Sequence, residues 1–95
     1  MPTNITQIES EDGTRTILRV EGSLTLVDAE LIERICRDLR EKSTAQLTID
    51  LTDLNFLDSE SASVLHRLKK QGVELEGLHY LIQKEIELVE RQSAG

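Results

Sequence analysis

Tryptophan is absent from this 95-residue chain, and phenylalanine and tyrosine occur once each. A hydrophobic core therefore has to be assembled from leucine, isoleucine and valine, with alanine filling in. The single cysteine, Cys36, excludes an intrachain disulfide and gives no sign of an oxidising compartment. No apolar run approaches the length that spans a bilayer, and none opens the chain like a signal peptide. A cytoplasmic location without membrane insertion is the expectation. Basic charge is scarce too: 11 Lys and Arg stand against 18 Asp and Glu, a net charge of −7. Phosphate neutralisation needs clustered cations, so nucleic acid is disfavoured, as are anionic membrane surfaces. What the charge leaves open is a basic protein partner or simple solubility.

Repeats, proline-rich linkers and low-complexity tracts are also missing, so residues 1–95 read as one domain. A chain of this length buries roughly 60 to 65% of its unfolded surface. Asn4 to Ser10 reads as a weak strand, Glu11-Asp12-Gly13 as a turn, and Thr16 to Val20 as a second strand. Together these predict a β-hairpin. Gly22-Ser23-Leu24-Thr25 is expected to break the second strand. From Val27 to Lys42, Leu31, Ile32, Ile35, Cys36 and Leu39 form the stripe of an amphipathic helix. Thr25 with Asp28 resembles a capping signal, and Arg37, Arg40 and Lys42 suit the negative end of the helix. Ala45 to Leu51 alternates as a half-buried strand. Ser59 to Gln71 is helical, with Ala62, Leu65 and Leu68 on one face and Gly72 ending it. Val73-Glu74-Leu75 begins a fourth strand, and Leu81 to Gln92 forms a last amphipathic helix that buries some of Leu81, Ile82, Ile86 and Val89. The order β-β-α-β-α-β-α predicts an α/β domain with a mixed four-stranded sheet, the later strands parallel.

Reactive constellations are thin. Cys36 lies on the apolar stripe and reads as a buried structural thiol. His66 and His79 have no partner at ligand spacing, so no metal site is expected. Ser63 and His66 stand three apart on one helix, yet a triad also needs an orienting acid and an oxyanion hole. Asp58 is eight residues from His66, about 12 Å along a helix. No glycine-rich phosphate loop is present, and no cofactor is expected.

The stretch Asp58-Ser59-Glu60-Ser61 is different. It follows the β-prone run Ile49 to Leu57 and opens a helix, at the positive end of the helix dipole. One reading is purely structural: Asp58 or Ser59 caps the helix, worth about 1 kcal/mol, and Glu60 complements the dipole. The other makes the corner a recognition site.

Here the chain resembles the STAS domains, whose founding members are bacterial anti-sigma factor antagonists. The resemblance rests on Gly22-Ser23-Leu24 before the first helix, on Asp50-Leu51-Thr52, and on Phe56-Leu57-Asp58-Ser59 before the second. It covers roughly residues 5 to 90. The usual corner is an aspartate, two small hydroxylated residues and a glycine; here Glu60 holds the second hydroxyl position and Ser61 the glycine position. The resemblance implies a small STAS-like fold and a non-catalytic regulatory module that binds an anti-sigma factor of the serine-kinase type. In that family the second hydroxyl residue is the one phosphorylated. A glutamate cannot accept a phosphoryl group in that scheme, so Ser59 is the substitute candidate. Glu60 either holds the corner in a phosphorylated-like state, with one negative charge where phosphoserine has nearly two, or serves a different recognition chemistry. The docking surface implied is Asp58, Ser59, Glu60, Ser61 and Ser63 with the nearby loop Ser23, Leu24 and Thr25. An alternative role is the STAS subunit of an ABC-type lipid transporter, docking on its ATPase; an enzyme is the least supported class. The chain reads as stopping one strand and one helix short of longer family members. That would leave Leu78, Leu81 and Leu88 either packed in the core or available to a partner or a second copy.

Overall fold

In the computed structural model, which describes residues 3–77, Asp12 closes the turn between two antiparallel strands, β1 (Asn4–Glu9) and β2 (Arg15–Leu24). Its carboxylate accepts from the Thr14 amide at 3.1 Å and from the Thr14 and Ser10 hydroxyls at 2.8 Å. These bonds hold the Asp12 pKa down at about 2. Along β2, Thr16, Leu18, Val20, Gly22 and Leu24 are buried on one face, while the intervening residues are half-buried on the other. That is the period-2 pattern of a strand with one face on a core.

Beyond the hairpin come α1 (Leu26–Lys42), β3 (Gln46–Asp50), β4 (Leu54–Leu57), α2 (Ser59–Lys70) and β5 (Glu74–Glu76). The sheet runs β1-β2-β3-β5, with β3 parallel to β2 and β5 parallel to β3. The four expected strands are all present. A fifth, β4, follows β3 and pairs parallel with the last residues of β2, Gly22 to Leu24. Its four residues run buried, exposed, exposed, buried, which hides the alternation that would have announced a strand. Between β3 and β4, Asp50 accepts from the Thr52 amide (3.0 Å) and hydroxyl, an Asx turn that bends the chain out of the ladder.

Gly22 does not break β2, as its residue type suggests. The strand runs on to Leu24, and the pairing with β4 shifts register between Gly22 and Ser23. Gly22 has φ +87°, a conformation open to glycine and costly to other residues, so the chain bulges instead of stopping.

Both helices contribute to one cluster with the buried face of the sheet: Ala29, Ile32 and Cys36 from α1, and Ala62, Leu65 and Leu68 from α2. Leu31, placed on the buried stripe by the sequence pattern, is 39% exposed; Ala29 takes its place, so the buried stripe is rotated. On the opposite face, Arg15 donates to the Thr48 hydroxyl at 3.1 Å and pairs with Glu74 (2.7 Å) and Glu76 (2.8 Å), joining β2, β3 and β5. Gly72 follows α2 with φ +99°, as the sequence predicts. The expected helix from Leu81 to Gln92, with Leu78, His79 and Leu88, lies outside the described residues.

Candidate functional site

β2 and β4 end side by side, Leu24 opposite Leu57, and each is followed within two residues by a helix. The N-termini of α1 and α2 therefore meet at the carboxyl ends of parallel strands, the end of an open α/β sheet where recognition sites form. The Leu24 carbonyl ties the two turns together, accepting from the Asp58 amide at 3.4 Å and the Ser61 hydroxyl at 3.2 Å.

At the head of α2, Asp58 is the N-cap residue, and its Oδ1 accepts from the Ser61 amide at 2.7 Å. The bond satisfies one of the helix's orphan donors and fixes the corner. Ser59 and Glu60 follow on the first turn, both exposed. Ser63 is half-buried and donates to the Ser59 carbonyl at 3.2 Å. Ser61 is 0% exposed, because its small side chain turns inward against β2 to reach the Leu24 carbonyl. It is a structural hydroxyl, and its expected place on a docking surface is corrected accordingly. Leu24 is likewise 0% exposed, the last inward residue of β2, and leaves that surface for the same reason. Ser23 is half-buried and Thr25 exposed.

Thr25 occupies the N-cap of α1, but its side chain makes no capping bond. The capping pair suggested by Thr25 and Asp28 is not formed: Asp28 instead accepts from the Thr3 hydroxyl at 2.8 Å, and that hydroxyl also lies against the Ser23 carbonyl. The chain preceding β1 is thereby held to the head of α1.

The Ser63 proton is directed at a backbone carbonyl and His66 is buried. Burial pushes the Cys36 thiol up to about 11, so it is protonated at neutral pH and a poor nucleophile. Among the described residues no group of three His, Cys, Asp or Glu is placed to hold a metal, and no helix is long and apolar enough to cross a membrane.

Sequence reasoning missed the apolar surface beside this corner. Val27, on the first turn of α1, is 76% exposed, and Phe56, opposite Ser23 in the sheet, is 53% exposed. The signal for Val27 and Leu31 was available in Ala29. Each stands two residues from it, about 160–200° round the helix from Ala29.

Comparison with known proteins agrees with this architecture. A family model described as the STAS domain matches residues 6–87. An antisigma-factor antagonist STAS domain from Rhodobacter sphaeroides superposes with a TM-score of 0.53 at 23% identity, covering 77% of this chain and 82% of its own. An uncharacterised protein of the DUF3478 family from Shewanella loihica, described as having a SpoIIAA-like fold, gives a TM-score of 0.61 at 21% identity, covering 83% and 69%. At such identities these likenesses establish the fold alone. No curated protein matches the chain.

Proposed function

This chain belongs to the STAS domain family, and from that premise we propose that it is a non-catalytic regulatory module that binds a protein through the head of α2. The observation that supports this reading is the outward placement of Ser59 and Glu60 on a turn that Asp58 locks from beneath. The docking surface consists of Ser59, Glu60 and Ser63, with Asp58 at its base and Ser23 and Thr25 at its side. The partner is an anti-sigma factor of the serine-kinase type, in line with the antisigma-factor antagonist among the similar structures.

Glu60 sets this module apart. A carboxylate at the second position of α2 is favoured by the helix dipole and carries permanent negative charge. Where a phosphorylatable residue would alternate between neutral and nearly doubly charged, Glu60 stays singly charged. The module is therefore constitutive at this position, and Ser59, the earliest exposed hydroxyl of the helix, is the substitute acceptor for a phosphoryl switch.

The test is phosphoryl transfer. With ATP and the serine-kinase anti-sigma factor of the native host, Glu60→Ser should take up phosphate at the new hydroxyl, the γ-phosphoryl passing to that oxygen as ADP leaves. The unsubstituted chain should take up none at position 60. Failure of Glu60→Ser to incorporate phosphate, with the kinase active on its own substrate, would sink the assignment of this partner.

A further inference from the structure

The two helices of the described chain are electrically polarised along their length. Every lysine and arginine in α1 and α2 falls in the later part, from Arg34 and Arg67 onward, where α1 also carries Asp38 and Glu41, while Asp28, Glu30, Glu33 and Glu60 occupy the earlier turns. Glu33 is already matched: its carboxylate takes the Arg67 guanidinium at 3.0 and 3.1 Å, which holds its pKa below the usual carboxylate range. Glu30 and Glu60 are exposed and make no ion pair with a described lysine or arginine within 4.0 Å, though Glu30 lies near enough for its charge to help raise the Arg67 pKa.

Within this acidic end lies an apolar pair. Val27 and Leu31 are one turn apart on α1 and point away from the Ala29, Ile32 and Cys36 stripe; the exposure of Val27 is the largest among the big apolar side chains described. Continuing the same line of α1 brings Arg34 and Asp38, not further apolar residues. A second copy laid antiparallel over the whole line would set Val27 against Asp38 and Leu31 against Arg34; centred on position 29 it would set Val27 against Leu31, but would also bring Glu30 beside Asp28 of the other copy. Self-pairing is thus mismatched in hydrophobicity in the first register and in charge in the second. Both are matched for a segment that carries apolar and basic side chains together.

We propose that the first two turns of α1 extend the docking surface, and that the partner's contacting element is an amphipathic helix. Its apolar face covers Val27 and Leu31, and flanking Lys or Arg side chains meet Glu30 and Glu60. The inference rests on the reading that the head of α2 binds a protein, and it specifies the chemistry of what is bound. Apolar contact supplies the salt-insensitive part of the affinity, and the carboxylates supply orientation and on-rate.

The probe is a synthetic helical peptide of leucine on one face and lysine on its flanks, titrated into the full chain and followed by backbone amide chemical shifts. A glutamate-flanked peptide of the same apolar face is the control. The lysine peptide should shift Val27, Leu31, Glu30 and Glu60 together, and the glutamate peptide should not. Val27→Ser with Leu31→Ser, at positions already facing solvent, should weaken binding at least about fivefold at low and high salt. Glu30→Gln with Glu60→Gln should weaken it at low salt and flatten its salt dependence. Shifts confined to Ser59, Glu60 and Ser63 would leave the docking head intact and overturn the extension onto α1. Shifts at Val27 and Leu31 without the corner would overturn the functional reading itself. Equal binding of both peptides, unchanged binding by the serine variant, or concentration-dependent self-association through Val27 and Leu31 would each overturn the proposal.

Discussion

Asp58 carries two roles: its carboxylate caps α2 and its backbone amide reaches the end of β2. Replacing it with alanine frees the Ser61 amide and should cost about 1 kcal/mol, read as a lowered midpoint in urea unfolding with an unchanged slope. Ser61→Ala removes a buried hydroxyl that donates to the Leu24 carbonyl and should cost a similar amount, about 1 kcal/mol. Gly77 is more demanding. A Cβ there would sit 2.7 Å from the Thr52 backbone nitrogen, closer still to the Thr52 hydroxyl, and at a φ of +72°. Gly77→Ala should therefore cost roughly 2 kcal/mol or more, measured in the same way. Cys36, buried and with its pKa raised to about 11, should resist iodoacetamide in the native state at pH 8 and react in denaturant. Rapid native alkylation would contradict its placement in the core. Residues of this kind differ in how plainly the sequence reveals them. Asp58 and Cys36 were legible because a cap and an apolar stripe are local patterns. Ser61 was not, since nothing in a run of serines says which one turns inward; that is settled by the carbonyl of Leu24, thirty-seven residues away.

The elements of the chain were largely readable, and the exceptions share a cause. Both helices and four strands follow from periodicity and turn chemistry, because each buries a face of its own. β4 was hidden: four residues show no period, and its partner is the far end of β2. For the same reason Gly22 reads as a breaker until β4 is seen beside it, when it becomes the bulge that lets β2 change partners. Gly22→Ala, at φ +87°, should lose about 1–2 kcal/mol and disturb amide shifts in β4 more than in β1. The hairpin offers a test through pH. Asp12 has its pKa lowered from 3.8 to about 2 by the Thr14 and Ser10 bonds, so the folded state favours the ionised form. The stabilisation this brings is present above about pH 4 and is lost as pH falls through about 2. Asp12→Asn should be less stable than the parent at pH 6, and the difference should vanish near pH 2. A difference that persists at pH 2 would assign the effect to something other than ionisation.

At the scale of the molecule, the STAS frame brings two helix heads together at one end of a parallel set of strands and leaves Glu60, Ser59 and Thr25 facing outward there. The family resemblance was visible in short runs such as Asp50-Leu51-Thr52 and Leu57-Asp58-Ser59, whose roles are now physical: an Asx turn that ends β3 and a cap that starts α2. Of the exposed pair, Leu31 was misread, because an apolar residue at helical spacing is more often core, and Val27 was passed over as the start of the helix; the burial of Ala29 fixes the rotation of α1. The measurement that bears most directly on the account is site-specific photo-cross-linking in the native host from position 60. Position 14, on the opposite hairpin turn, is the control. An adduct with one protein, an anti-sigma factor by mass spectrometry, should form from position 60 and not from position 14. No adduct from position 60, or the same adducts from both, would contradict it.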